Sequence, residues 1–192
     1  MPFSSRVEIV RAASSGKVIS FPTDTVPALA VSPAYSPAIF HLKQRQPDKP
    51  LILMAASESD IRAYVTGTGE EWQIWREIME KYWPGQLTLV LPASEKVPRA
   101  MNPLDPTTIG VRIPDSSIAR EILAETGALA TTSANRSGES PLLTATDIER
   151  TFPGVYVLES GNWNANSSGQ PSTVARWNGN GWDILRQGKI IL

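Results

Sequence analysis

Residues 108–132 read TIGVRIPDSSIAREILAETGALATT, and three patterns follow one another within them. Thr108 to Ile113 is apolar apart from one arginine and is stopped by Pro114, so it reads as a short buried strand. Ser117 to Glu125 reads as a helix, and Leu129 to Thr132 as a second short strand. Strand, helix and strand in close succession are the repeating unit of an α/β domain.

Working outward, the same alternation continues. Upstream, Val7, Ile9, Val10 and Ala13 suggest a helix ending at Gly16, where glycine suits the left-handed position after a helix. Lys17 to Phe21 reads as a buried strand, Ala34 to Gln44 as a helix, Leu51 to Met54 as a strand and Ser57 to Tyr64 as a helix. Glu70 to Trp83 is the clearest helix, because Trp72, Trp75, Met79 and Tyr82 fall on one face before Pro84-Gly85 stops it. Leu87 to Leu91 is a strand. Downstream, Thr144 and Asp147 resemble a capping box that starts a helix running to about Phe152. Strands are expected at Val155 to Leu158, Thr173 to Trp177, Trp182 to Arg186 and Lys189 to Ile191. Asn162 to Pro171 is rich in Asn, Ser and Gly and reads as a loop; Asn178-Gly179-Asn180-Gly181 reads as a hairpin turn. The expected fold is a single α/β domain over residues 1–192, with the hairpin making its sheet mixed.

Composition excludes several chemistries. The chain has 192 residues, no cysteine, one histidine (His41) and a net charge of -1. A disulfide framework, a thiolate zinc site and a cysteine nucleophile are ruled out, and histidine-rich metal sites or relays nearly so. Near-neutral charge disfavours a generic nucleic-acid coat. No signal-peptide pattern and no membrane-length apolar run is present, so a soluble, cytoplasmic protein is expected.

Standard nucleotide signatures, the P-loop and the dinucleotide glycine pattern, are absent. Five segments nevertheless concentrate chemistry. Phe21 to Pro27 places Thr23, Asp24 and Thr25 directly after a buried strand, where open α/β sheets tend to bind ligands; on pattern alone a proline-stopped turn is the simpler reading. Lys43, Arg45 and Lys49 bring three cations to a helix end; a solvated helix terminus and a phosphate clamp are equally good readings. Leu129 to Gly138 runs a buried strand into a loop of small hydroxyls with Asn135, which lets a ligand approach backbone N–H groups; an ordinary strand-to-turn junction is the plainer alternative. Arg112, inside an apolar strand, needs a partner if buried: a substrate carboxylate and an internal acid, Asp24 or Glu159, are both open readings, as is a side chain that simply faces water. Ser172-Thr173 and Arg186 read as hairpin decoration when taken by themselves. His41 reads as solvated, and Trp72, Trp75, Trp83 and Trp177 as core rather than base-stacking platforms.

In this order along the chain, seven motifs resemble the YrdC family: Pro22-Thr23-Asp24-Thr25-Val26; Lys43-Gln44-Arg45 with Lys49-Pro50-Leu51; Trp83 to Val90; Gly110-Val111-Arg112-Ile113-Pro114; Thr132 to Gly138; Ser172-Thr173-Val174; and Leu185-Arg186-Gln187-Gly188. The resemblance covers about Val7 to Leu185 and beyond. It implies a twisted mixed-sheet domain with helices packed on the sheet and a large concave, locally basic cavity. It implies L-threonylcarbamoyladenylate synthesis from ATP, L-threonine and bicarbonate, with Mg²⁺ carried through the ATP phosphates and no dedicated metal site. The product then serves threonylcarbamoyl-adenosine modification of tRNA through other tRNA-modification proteins. By position, Lys43 and Arg45 are the expected catalytic cations. Lys43, Arg45, Lys49, Thr108, Ser133, Asn135, Ser172 and Arg186 are the expected ATP contacts. Thr25, Arg112 and Thr131 are expected to hold threonine, with Arg112 facing its carboxylate.

Three departures stand beside the resemblance. Pro27-Ala28-Leu29 replaces the family's usual Tyr-Gly-Leu, Met54 stands where many members carry histidine, and a short form without the extra domain of longer members is expected from the 192 residues. The competing readings are an RNA-binding or ribosome-maturation protein of the same fold, and a paralogue that does not activate threonine.

Overall fold

A computed structural model describes residues 3–46, 48–159, 163 and 167–192. These residues form a nine-stranded mixed sheet in the order β7-β1-β2-β6-β3-β5-β4-β8-β9. The strands are β1 (Ile19–Phe21), β2 (Ala28–Val31), β3 (Ile52–Met54), β4 (Leu87–Pro92), β5 (Thr108–Arg112), β6 (Leu129–Ser133), β7 (Tyr156–Val157), β8 (Thr173–Trp177) and β9 (Trp182–Arg186). The helices are α1 (Arg6–Ser14), α2 (Pro37–Lys43), α3 (Glu58–Arg62), α4 (Gly69–Tyr82), α5 (Ser117–Thr126) and α6 (Ala145–Thr151). β1/β7, β3/β5 and β4/β8 are parallel, and the remaining neighbours run antiparallel. The mixed α/β fold expected from the alternating periodicities is therefore present.

Local chemistry explains where helices begin. Ser5, Ser57 and Thr68 each cap a helix, and Glu8, Asp60 and Glu71 return the bond to the cap backbone. Thr144 caps α6 by accepting from the Asp147 N–H at 3.1 Å, but the Asp147 carboxylate accepts from the Thr144 hydroxyl at 2.6 Å. α4 buries Trp72, Trp75 and Met79 against the sheet, as its one-sided apolar pattern requires. Trp75 stands edge-on to Trp72 and to Trp177 of β8, with ring centroids 5.3 and 6.2 Å apart. The Trp72, Trp75 and Trp177 rings are thus core, as expected, and Trp83 is half-buried.

The sheet separates two environments by strand alternation. Leu87, Leu89 and Leu91 of β4, Ile109 and Val111 of β5, and Leu53 of β3 point into the apolar cluster under α4. The alternate positions, Thr88, Val90, Thr108, Gly110, Arg112, Ile52 and Met54, face a cavity. A second apolar cluster gathers α1, α5 and α6 around β1 and β2.

Two expectations about strands need correction. β2 was not anticipated: Ala28–Val31 is a four-residue apolar run behind a proline, too short to show a period. It pairs antiparallel with β1, so residues 22–27 form a turn between paired strands. Conversely, Lys189 to Ile191 is not a strand. Gly188 N and Ile190 N both donate to Thr173 Oγ1, at 3.0 and 3.1 Å, and that hydroxyl donates to Ile190 O at 2.7 Å; with Gln187 Nε2 donating to Ile190 O at 2.8 Å and Tyr82 Oη to Ile191 O at 3.1 Å, side chains anchor the tail instead of a ladder. β7 is only two residues long within the expected Val155 to Leu158. Residues 167–171 are irregular, as the loop expected at Asn162 to Pro171 requires; residues 162 and 164–166 of that loop, and Pro47 in the cationic segment, lie outside the described residues.

Candidate active site

The cavity on the open face of the sheet has a volume of about 530 Å³, within the range of small-molecule sites. Its floor includes β3, β4, β5, β6 and β8, and its walls the 22–27 turn, the 45–51 segment, the 102–105 loop and Leu185-Arg186. Gly110 keeps the floor open: a Cβ there would lie 3.3 Å from Thr88 Cγ2 and 3.5 Å from Ile52 Cγ1.

Arg45, Lys49 and Arg186 line this space together, although 136 residues lie between Lys49 and Arg186. α2 ends at Lys43, and Gln44 adopts a left-handed conformation with φ 51°, uncommon for a residue with a side chain. The chain turns sharply there and sends Arg45 into the cavity. Arg45 is fixed by donating from Nε to Lys49 O at 2.8 Å and from Nη2 to Pro50 O at 3.0 Å. Arg186 donates from Nε and Nη2 to Ser172 O at 3.0 and 2.9 Å. Ser172 in turn shares a hydrogen bond of 2.8 Å with Thr88. Ser172 is therefore buried and ties the exposed Arg186 to the cavity, so the pair is more than hairpin decoration. Burial lowers the pKa of Arg45, Asp48 raises it, and Arg186 lowers it further; burial also lowers that of Arg186. Neighbouring guanidiniums, one half-buried and one exposed at the cavity rim, form a site for concentrated negative charge.

Lys43 occupies a different place. It is 1% exposed, does not line the cavity, and donates from Nζ to Ser133 O and to Asn135 Oδ1, the latter at 3.2 Å. Asn135 also accepts from Ser133 Oγ at 2.5 Å and donates to Arg136 O and Glu139 O at 2.7 and 2.8 Å. Lys43 and Asn135 thus stand behind Ser133, which does face the cavity. Burial, with added repulsion from Arg45 and Lys49, pushes the Lys43 pKa down to about 7.

At another part of the wall, Arg112 is buried by its own interactions. Nη2 meets Asp24 Oδ1 at 2.6 Å, Nη1 meets Thr25 Oγ1 at 2.8 Å and Nε meets Gly85 O at 3.0 Å. Asp24, not Glu159, is the internal partner. Burial lowers the Arg112 pKa most, Asp24 opposes this, and Arg186 adds to it. Among the described residues each Nη nitrogen shows one partner, so one hydrogen on each stays available. Thr25 is held by Thr23, whose Oγ1 lies 3.0 Å from Thr25 Oγ1 and 2.8 Å from Val26 O. Thr131 lines the same cavity and donates to Ile52 O at 3.0 Å.

Of the residues singled out from the sequence, Thr25, Arg45, Lys49, Thr108, Arg112, Thr131, Ser133, Ser172 and Arg186 line one cavity. His41 is exposed. The cavity also takes in Thr88, Asn102, Asp105 and Arg176, which sequence reading missed. Thr88 left a trace, a hydroxyl inside the apolar Leu87 to Leu91 run; the 102–105 loop has no period to betray it.

The chain is similar to known proteins over most of its length. A rat threonylcarbamoyl-AMP synthase is 32% identical over 166 residues, 82% of this chain and 57% of that protein. The chain therefore spans little more than half the length of that relative. A threonylcarbamoyl-AMP synthase of Yersinia pestis (strain Pestoides F) is 33% identical over 156 residues, 79% of this chain and 81% of that protein. The crystal structure of P. abyssi Sua5 complexed with L-threonine superposes with a TM-score of 0.81 at 29% identity, covering 94% of this chain and 53% of that one. E. coli YciO shares the fold with a TM-score of 0.78 at 21% identity, covering 96% and 89% of the two chains. Among the described residues no helix is long and apolar enough to cross a membrane. A family model described as "Telomere recombination" matches residues 11–188, and on these grounds the chain belongs to the Sua5/YciO/YrdC family.

Proposed function

We propose that this chain makes L-threonylcarbamoyladenylate and pyrophosphate from L-threonine, bicarbonate and ATP. The observation that carries the reading is the meeting of Arg45, Lys49 and Arg186 in the cavity that also holds Thr25 and Arg112. The names of the relatives support the same chemistry, as does a threonine-bound structure of the same fold.

The threonine amine and bicarbonate combine to a carbamate with loss of water. A carbamate oxygen then attacks the α-phosphorus of ATP, and the bond to the β-phosphate oxygen breaks to release pyrophosphate. Both partners are anionic. The residues must therefore neutralise charge and hold the reactants in line, more than supply a covalent nucleophile. Arg45, Lys49 and Arg186 would take the phosphates, with Ser133, whose hydroxyl donates to Asn135, lining the cavity beside them. Arg112 would use its free Nη hydrogens on the threonine carboxylate, with Thr25 and Thr131 beside it. Lys43 would act from behind by holding Ser133 and Asn135. The described residues contain no group of three or more His, Cys, Asp or Glu side chains able to hold a metal, so Mg²⁺ would enter on the ATP phosphates.

One observation favours a second reading, a family member that does not activate threonine. Pro27, Ala28 and Met54 all line the cavity, and Met54 stands beside Arg112 in the β3–β5 register. Transfer to tRNA would need the partner proteins that the family uses.

The deciding assay incubates the purified protein with ATP, Mg²⁺, bicarbonate and isotope-labelled threonine, followed by mass spectrometry. Threonine-dependent threonylcarbamoyl-AMP and pyrophosphate are expected. ATP binding with no product from threonine would select the second reading, and RNA binding with neither would select an RNA-binding protein of the same fold.

A further inference from the structure

The cavity holds an electrostatic mismatch. Its cations suit phosphates, yet Asp48 and Asp105 also line it. Asp48 adjoins the cationic segment and acts on Arg45. Among the described residues neither has an ion pair within salt-bridge distance, and Arg176, the cation that influences Asp105, is engaged with Asp183 at 3.1 Å. The hydrogen bond from the Thr107 hydroxyl does most to hold the Asp105 carboxyl below the usual range; burial opposes it, and Thr108, the Thr107 N–H and Arg176 add to the lowering. Asp105 is thus an anion facing a cavity otherwise suited to anions, and it would repel a phosphate placed beside it.

Its position gives it another role. Asp105 adjoins Thr108, the first residue of β5, whereas Arg112 is the last. The two ends of this strand are about 13 Å apart. An adenylate lying along β5 with its acyl group at Arg112 carries its nucleoside toward Thr108. Asp105 Oδ1 accepts from Thr107 N at 3.3 Å and Thr107 Oγ1 at 2.5 Å. Oδ2 accepts only from Thr108 Oγ1, at 3.1 Å, and keeps a free lone pair. Asn102 Nδ2 donates to Thr108 Oγ1 at 3.1 Å and holds that hydroxyl toward Asp105.

We propose that Asp105, positioned by Thr107 and Thr108, is the ribose reader of this site, its Oδ2 accepting a hydrogen bond from a ribose hydroxyl of the bound nucleotide. This rests on the ATP-dependent reading above and adds a selectivity to it: ribonucleotides over deoxyribonucleotides.

The test is equilibrium binding of ATP, 2′-deoxy-ATP, 3′-deoxy-ATP and inorganic tripolyphosphate to the full chain, measured calorimetrically for the native protein and for Asp105→Asn. A hydrogen bond to a charged acceptor translates into about ten- to hundredfold tighter binding of ATP than of one deoxy analogue. Asp105→Asn should erase most of that preference by weakening ATP alone, leaving the deoxy analogue and tripolyphosphate unchanged. A merely structural Asp105 would weaken ATP and both analogues alike, and that result overturns the proposal, as does a native protein that binds all three nucleotides equally. If neither ATP nor tripolyphosphate binds the native protein, the adenylate-forming reading falls with it. Thermal melting of Asp105→Asn, and Asp105→Ser as a second variant, keep a folding defect from passing as lost recognition.

Discussion

Arg112 Nη2 and Asp24 Oδ1 are 2.6 Å apart, and each side chain is 5% exposed. The pair joins the end of β5 to the turn between β1 and β2, and so builds the wall on which Thr25 sits. A charge pair this deeply buried is held as much by its supporting bonds as by Coulomb attraction. The arginine is tied to Gly85 O and Thr25 as well as to Asp24.

Removing one partner should therefore be costly. Asp24→Asn leaves the Arg112 charge buried without its counter-charge, and a loss of about 3–5 kcal/mol is expected. Urea unfolding at neutral pH measures it. Asp24→Leu combined with Arg112→Met should unfold at a higher urea concentration than Asp24→Asn alone, because no unpaired charge remains.

Arg45→Ala should lower kcat/KM for adenylate formation by at least about a hundredfold, by analogy with removal of a single charge-stabilising donor. Arg45→Lys should recover little of this, since a lysine cannot fork to the two carbonyls of Lys49 and Pro50. Steady-state pyrophosphate release gives both numbers, and unchanged turnover in Arg45→Ala would remove the phosphate-clamp role.

The depressed Lys43 predicts a pH dependence whose sign is fixed. Its pKa is about 7 in the folded chain against an ordinary 10.5. Between these values the unfolded chain binds the extra proton, so stability rises with pH across that window. The penalty is fully present below pH 7. Melting temperature should climb from pH 7 to pH 9, and Lys43→Met should flatten that slope. Polyphosphate in the cavity favours the charged amine, so its binding near pH 8 should take up a proton, measurable by calorimetry in buffers of different ionisation enthalpy.

Gly110→Leu places a side chain on the cavity floor, where a Cβ alone approaches Thr88 Cγ2 to 3.3 Å. ATP affinity should fall more than about tenfold, while urea unfolding shows the sheet intact. Gly110→Ala should show a milder loss of affinity. Equal ATP affinity in Gly110→Leu would place the nucleotide elsewhere.

Much of the fold was legible in the sequence because burial leaves a period. Trp72, Trp75 and Met79 announced α4, and the apolar runs in β4, β5 and β6 announced strands. β2 was silent, since four apolar residues carry no period. The tail at Lys189 to Ile191 reads like a strand but is held by side chains, the hydroxyls of Thr173 and Tyr82 among them. Part of the site was legible too, as charged or hydroxylated residues interrupting apolar runs.

By itself the sequence determined the alternation of elements, the absence of thiol and histidine-cluster chemistry, and the residue types available to a polyphosphate site. Only the tertiary structure decided which cations share one space. The left-handed turn at Gln44 puts Arg45 into the cavity and leaves Lys43 behind Ser133. Sheet order brings Arg186 beside Ser172 and Arg112 beside Asp24. The physical reason is that side-chain chemistry is local, whereas the direction of a side chain and the solvent around it depend on strands paired across distant parts of the chain.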